Sequence, residues 1–138
     1  MAAADATRRL ERLARVRDVE RRRAAGQLAD AAAARSRLAG LAARTARMVG
    51  DCTPPSSATD VGALQMLLAF RSGLTGLAAA TDAQARQAER RTVSARQDLA
   101  AAERRCDLAH ERLTRARCER RRVEEHQERL ARDVKGRR

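Results

Sequence analysis

The sequence of 138 residues has almost no aromatic side chains, because Phe70 is the single one and Trp and Tyr are absent. Proline and glycine are also scarce, with 2 and 7 residues. Aromatic and β-branched residues fill most strands and many globular cores, so this composition argues against an all-β or α/β fold. Charged residues make up 35% of the chain and much of the apolar material is alanine, which is typical of long helices and coiled coils. A compact enzyme domain is therefore not expected.

Long apolar runs are also missing. The longest nearly apolar run, Val61 to Phe70, is interrupted by Gly62 and Gln65 and is shorter than the roughly 18 residues that a membrane-spanning helix needs. The N-terminus has no apolar signal segment, and acidic residues from Asp5 onwards argue against an organelle transit peptide. The sequence predicts a cytoplasmic protein without direct membrane insertion.

Residues that carry chemistry are few and scattered. The three cysteines cannot all pair, and Cys106 and Cys118 would lie about 18 Å apart on one helix, so we expect reduced thiols. Cys106 and His110 have the spacing of two metal ligands on one helix face, but only Glu103 or Asp107 offers a third ligand within a turn. We therefore interpret Cys106 as a residue of the helix seam beside a flanking histidine. We predict no catalytic residue, no metal and no cofactor.

Apolar residues recur at alternating steps of three and four in two segments, which predicts helices at about residues 7–49 and 61–134. Between them, Gly50 to Gly62 contains both prolines and predicts a loop at about residues 50–60. Thr59 or Asp60 is expected to cap the second helix. Two helices joined in this way fold back on each other. The predicted fold is all-α, a two-helix antiparallel coiled-coil hairpin with a longer second helix, forming a single domain over residues 1–138.

Folding back at this loop predicts a register in which Leu10 lies opposite Ala102 and Leu41 lies near Arg71. The second helix would then extend about 30 residues beyond the first, since both helices rise about 1.5 Å per residue. The apolar stripe continues over this extension. A second copy of the chain or a larger assembly is expected to cover it.

Charge is unevenly distributed along the predicted hairpin. Residues 1–49 carry 12 basic and 5 acidic side chains and residues 85–138 carry 17 and 10, whereas residues 50–84 carry 1 and 3. The end with the termini is therefore strongly basic. Its arginines either pair with the chain's own acids, face an acidic protein partner or bind nucleic acid, and the lack of aromatic platforms argues against nucleic acid.

The head of the second helix is crowded with large apolar residues. Phe70 and Leu77 lie one heptad apart on the flank of the predicted seam, where a simple hairpin leaves them partly in water. An exposed patch of this kind marks a binding site. The other interpretation is that the first helix covers them through Leu41 and Met48.

These segments together resemble the flagellar FliJ family and its injectisome relatives, the YscO/SctO stalk proteins. The resemblance rests on the opening "RLERLARVRDVERRRAAGQLADA", the Pro/Gly/Ser loop, "ALQMLLAFRSGLTGLAAA" at the head of the second helix and the charged tail "CERRRVEEHQERLARD". It covers almost the whole chain.

The resemblance implies a non-enzymatic stalk and chaperone-escort component of the flagellar or injectisome (type III) export apparatus. The implied partners are the hexameric export ATPase, the export-gate membrane protein and export chaperones, which would hold the protein at the cytoplasmic side of the inner membrane. The implied gate-contact residues are Phe70, Leu74, Leu77 and Thr81. The implied ATPase-facing basic end consists of Arg8, Arg9, Arg12, Arg112, Arg115, Arg120, Arg121, Arg122, Arg129 and Arg132. Charge alone favours the alternative, a basic coiled-coil scaffold or nucleic-acid-binding protein.

Overall fold

The computed structural model describes residues 2–53 and 60–136, with side chains from residue 4 onwards. Within these ranges it contains two helices, α1 (Ala2–Asp51) and α2 (Val61–Gly136), and no strand. The two helices pack against each other in antiparallel orientation. The predicted all-α helical hairpin is thus confirmed, and each helix extends slightly beyond its predicted bounds.

Helix α2 begins at a side-chain cap. The backbone amide of Gly62 donates a hydrogen bond of 3.0 Å to Oδ1 of Asp60, and the amide of Leu64 donates one of 3.1 Å to the Asp60 carbonyl. A short acidic side chain in this position satisfies an amide that has no partner inside the helix. The capping prediction is confirmed for Asp60, whereas Thr59 lies outside the described residues.

The chain forms two compact units, and each combines part of α1 with part of α2. Unit 1 consists of Met1–Ala25 and Asp98–Arg138, and unit 2 consists of Gly26–Gln97.

In unit 2 the pairing of the helices is set by polar contacts. The hydroxyls of Thr45 and Thr81 share a hydrogen bond of 2.9 Å, and the guanidinium of Arg35 pairs with the Glu89 carboxylate. Thr92 lies deepest, and its hydroxyl is 3.0 Å from the Ala88 carbonyl of its own helix and 3.3 Å from the Ala31 carbonyl of α1.

In unit 1 the pairing is set by an apolar cluster and by polar contacts of Glu11 and Asp18. Ala14, Ala109 and Leu113 are buried together, with Leu10 and Leu13 packed against them. The Glu11 carboxylate lies 2.9 Å from the Arg117 guanidinium, and the Asp18 carboxylate lies 3.3 Å from the Cys106 thiol.

The predicted register was wrong by about three turns of helix. Leu10 packs near Leu113 rather than opposite Ala102, and Thr45 lies opposite Thr81. The prediction assumed that both helices begin to pair at the loop. In unit 2 the pairing of Thr45 with Thr81 instead places the last residue of α1, Asp51, level with about Thr75 of α2, so the first turns of α2 have no part of α1 opposite them.

The seam between the helices consists of small side chains. Its buried members include Ala14, Ala24, Ala88, Ala102, Ala109 and the threonines Thr7, Thr45, Thr81 and Thr92. Small residues allow two helix axes to approach to about 8 Å, and each buries little area from water. The alanine-rich seam that the periodicity predicts is present between Leu74 and Ala116.

Helix α2 contains an 18-residue window with a mean hydropathy of 1.3 and at most two charged residues, so by length and composition it is long and apolar enough to cross a membrane. Such a low number of charges is found only in the first third of α2. From Val61 to Ala80, Arg71 is the single charged residue. The expectation that no segment is long enough to span a membrane was based on an uninterrupted apolar run, which Gly62 and Gln65 break. The mean hydropathy of an 18-residue window averages over such interruptions. Length and composition alone do not assign the segment to a membrane.

The Leu113 side chain is expected to carry much of the stability of unit 1. It is 7% exposed within the Ala14 cluster, whereas Leu108 on the same helix is 52% exposed. We expect Leu113→Ala to lower the free energy of unfolding by about 2–4 kcal/mol, because it removes buried methyl groups and leaves a cavity. Leu108→Ala should change it by less than about 0.5 kcal/mol. Urea unfolding followed by circular dichroism measures both, and equal losses would contradict the packing described here.

Candidate interaction surfaces and a polar cluster

The first turns of α2 expose a series of large apolar side chains. This apolar surface consists of Val61, Met66, Leu68, Phe70 and Leu77. Phe70 and Leu77 are 56% and 50% exposed. Phe70 is exposed because the first turns of α2 extend beyond the end of α1 in unit 2, and Leu77 is exposed because it lies on the flank of the seam.

The four residues that the resemblance assigns to gate contact do not all lie on this surface. Phe70 and Leu77 do, whereas Leu74 and Thr81 are only 8% and 4% exposed. The Thr81 hydroxyl also bonds to Thr45 across the seam. Leu74 and Thr81 are therefore packing residues of unit 2, and a partner would meet Phe70 and Leu77.

The alternative in which α1 covers the apolar side chains does not hold. Leu41 and Met48, which were expected to cover them, are themselves exposed, as are Phe70 and Leu77. The seam of α1 passes through Thr45 instead, because its small side chain fits the close approach to Thr81.

The arginines of the predicted basic end all lie in unit 1 and fall into two groups. Three of them pair within α2 at a spacing of four residues, namely Arg115 with Glu111, Arg120 with Glu124 and Arg132 with Glu128. Such exposed pairs contribute little to stability. The other seven have no ion-pair partner among residues 4–53 and 60–136, and we call them the basic surface: Arg8, Arg9, Arg12, Arg112, Arg121, Arg122 and Arg129.

Unit 1 also holds a polar cluster of Asp18, Cys106 and His110, which we call the Asp18 cluster. The Cys106 thiol donates a hydrogen bond of 3.3 Å to Asp18 Oδ1, and His110 Nε2 lies 3.2 Å from Asp18 Oδ2. The Cys106 side chain is buried, Asp18 is partly buried and His110 is half-exposed. Arg21 lies at its edge, 3.7 Å from Asp18 Oδ1.

The electrostatics of this cluster disfavour a nucleophilic cysteine. Burial and the hydrogen bond to the Asp18 carboxylate raise the pKa of the Cys106 thiol. The thiol hydrogen bond lowers the pKa of Asp18, with His110 and Arg21 acting in the same direction. A reactive cysteine needs a lowered pKa, so Cys106 carries its proton at neutral pH.

Sequence reasoning missed the third member of this cluster. Glu103 and Asp107 were the expected neighbours of Cys106 and His110, whereas the group that reaches both is Asp18 of α1. The wrong register concealed it, because that register placed Cys106 opposite the first turns of α1. The only signal available in the sequence was that Asp18 lies between Arg17 and Glu20, two charged residues that interrupt the apolar stripe of α1.

Comparisons of the chain with protein-family models, with curated proteins and with solved structures found no match. The resemblance to the FliJ family and the partners that it implies therefore stay predictions.

The Glu11–Arg117 contact is expected to make unit 1 sensitive to acid. The Arg117 hydrogen bond lowers the pKa of Glu11 below its ordinary value, against the smaller effect of burial. Because this pKa is lower in the folded chain than in the unfolded one, ionised Glu11 stabilises the fold above the unfolded value. That contribution is lost as the pH falls through the folded value.

We expect the urea midpoint of the unmodified protein to fall between about pH 6 and about pH 3, where glutamates titrate. The midpoint of Glu11→Gln should fall less over the same range, because this variant lacks the titrating carboxylate. Glu125→Gln is the matched control, because Glu125 is exposed and has no ion-pair partner in the described part of the chain. If Glu11→Gln were as sensitive to acid as the unmodified protein, the Glu11–Arg117 contact would not contribute to the loss of stability at low pH.

Proposed function

We propose that the protein is a non-enzymatic stalk and chaperone-escort component of a type III protein-export apparatus, flagellar or of an injectisome. In this role the basic surface binds the hexameric export ATPase, and the apolar surface binds the export-gate membrane protein and export chaperones. The observation that carries the proposal is that the two surfaces belong to different units. Unit 1 carries 21 basic and 13 acidic side chains, a net charge of +8 against +4 for the 9 basic and 5 acidic side chains of unit 2, whereas the cluster of exposed apolar residues at the head of α2 lies in unit 2.

The apolar surface has the properties of a helix that docks into a groove. Phe70 and Leu77 lie seven residues apart and therefore on one face, and neither is needed for the seam. Exposed aromatic and aliphatic side chains at such spacing supply most of the affinity of helix-mediated contacts. A membrane protein's cytoplasmic domain with an apolar groove would accept this face.

The basic surface suits an acidic partner. Guanidinium groups stay charged at all physiological pH values and bind carboxylates in a bidentate manner. A ring of subunits lined with acidic groups would attract these arginines over a distance of about one Debye length, roughly 8–10 Å at physiological salt. Charge complementarity would thus guide unit 1 into such a ring.

The same seven arginines support a second candidate, a basic coiled-coil scaffold or nucleic-acid-binding protein. Phosphate contacts need only such cations. Unit 1 has no aromatic side chain on which a base could stack, since Phe70 belongs to unit 2. Binding to nucleic acid would therefore involve the backbone alone and depend steeply on salt.

The apolar surface is tested with Phe70→Ala combined with Leu77→Ala. We expect the double variant to bind the cytoplasmic domain of the gate protein from the same genome at least about tenfold more weakly, because it removes two docking side chains. Its thermal unfolding should hardly change, since both residues are exposed. Val93→Ala, an exposed position elsewhere in unit 2, is the matched control for isothermal titration. Equal weakening by Val93→Ala, or a large loss of stability in the double variant, would contradict the assignment.

The basic surface is tested with the triple variant Arg121→Glu, Arg122→Glu and Arg129→Glu. We expect it to lose stimulation of the export ATPase from the same genome, measured as phosphate release, because repulsion replaces attraction. The matched control reverses three exposed arginines of unit 2, Arg90, Arg91 and Arg96, and changes the net charge equally.

Retained stimulation in the unit 1 variant, with helicity unchanged, would show that this surface does not face the ATPase. If the same variant instead loses salt-sensitive binding to duplex DNA while the unmodified protein leaves the ATPase unaffected, the nucleic-acid function replaces the export function. Loss of stimulation in both triple variants would indicate an effect of net charge without a defined surface.

A further inference from the structure

We propose that Asp18, Cys106 and His110 form a binding site for a divalent transition metal, with zinc as the best match. Three donor atoms of different chemistry converge there, one from α1 and two from α2, and all lie within 4.8 Å of one another. Cys106 and His110 are four residues apart, so both side chains project from one helix face. The proposal is independent of the export function, because it concerns unit 1 alone and needs no partner protein.

The distances from Asp18 to the other two donors are close to those between the ligands of a tetrahedral ion. With bonds of about 2.3 Å to sulfur and about 2.0 Å to nitrogen or oxygen, tetrahedral ligand atoms lie roughly 3.2–3.6 Å apart. The Cys106 Sγ to Asp18 Oδ1 distance is 3.3 Å, and the His110 Nε2 to Asp18 Oδ2 distance is 3.2 Å. These two distances involve different oxygens of the Asp18 carboxylate, and all three donors lie within 4.8 Å of one another, so a small rearrangement of side chains brings them around one ion.

The chemistry of the donors selects the metal. A thiolate, an imidazole and a carboxylate suit zinc and cobalt, whereas calcium and magnesium prefer oxygen ligands alone. On binding, the Cys106 S–H bond breaks and its proton passes to water, while the sulfur lone pair forms the bond to the metal. Two anionic ligands then balance the charge of the ion. Three protein ligands leave the fourth position to water.

The residues around the cluster leave it accessible to an ion and include an arginine that competes with the ion for the Asp18 carboxylate. His110 lines an open groove together with Asp107, Glu111 and Thr114, and its side chain and that of Asp18 are 50% and 28% exposed, so two of the three donors meet solvent. The Arg21 guanidinium, 3.7 Å from Asp18 Oδ1, pairs with the carboxylate that the ion needs. Removal of Arg21 is therefore expected to strengthen metal binding, which a purely structural role of the cluster does not predict.

A bound ion would link α1 to α2 in unit 1. The alanine seam buries little area there, so a link between the helices would have a large effect on stability. We expect saturating Zn²⁺ to raise the Tm of the reduced, chelator-treated full chain by at least about 5 °C.

The site itself is tested by titrating the reduced full chain with Co²⁺. We expect one equivalent to bind with a thiolate-to-cobalt charge-transfer band, which reports a cysteine ligand directly. Cys106→Ser should abolish the band, and Asp18→Asn and His110→Gln should each weaken binding at least about tenfold. Arg21→Ala should bind Co²⁺ more tightly than the unmodified chain does. Cys118→Ser and Cys52→Ser are the matched controls, because the other two thiols lie outside the cluster, and both should bind as the unmodified chain does.

Three results would overturn the proposal. The first is the absence of a charge-transfer band when the unmodified chain is mixed with about 100 μM Co²⁺. The second is loss of the band in Cys118→Ser or Cys52→Ser. The third is unchanged Co²⁺ binding by both Asp18→Asn and His110→Gln. Circular dichroism of each variant shows whether it folds. If Cys106→Ser does not fold, the Asp18→Asn and His110→Gln variants decide whether the metal site exists, because these two side chains are more exposed than that of Cys106.

Discussion

The close approach of α1 and α2 along a seam of alanines and threonines is the constraint on which the other features of both units depend. Side chains of this size let the helices come near enough for hydroxyls of one helix to reach groups of the other, as Thr45 reaches Thr81 and Thr92 reaches the Ala31 carbonyl. Among the described residues, no buried side-chain nitrogen or oxygen lacks a hydrogen-bond partner. The polar members of the seam therefore help to define the register at little energetic cost.

The narrow seam also explains why so many large apolar side chains lie outside it. A larger side chain at the position of Thr45 or Thr81 would force the helices apart, so most of the larger residues occupy flanking positions, whereas Leu74 and Leu113 are buried. Leu41, Met48 and Leu77 are exposed for this reason. Phe70 is exposed because of the register, which leaves the first turns of α2 without α1 opposite them. Apolar exposure in unit 2 thus results from how the helices pack.

In unit 1 the same register brings together groups that are far apart in the chain. Asp18 meets Cys106 and His110, and Glu11 meets Arg117. These contacts use carboxylates of α1, so few of its acids remain to neutralise the arginines nearby. The basic surface therefore reflects both the excess of arginine in the sequence and the positions at which the acids are engaged.

The sequence by itself determined the all-α hairpin, the approximate ends of both helices, a cap at Thr59 or Asp60 and the alanine-rich character of the seam. These follow from local properties, namely a step of three and four in apolar residues, a loop with both prolines and a short side chain before a helix. It also indicated that Phe70 and Leu77 lie on a flank of α2. Only the tertiary structure decided the register, and with it the burial of Thr81 and the convergence of Asp18 with Cys106. An alanine-rich repeat looks nearly the same after a shift of several residues, so periodicity cannot select among registers. The choice depends on a few specific contacts across the seam, which only the folded chain brings together.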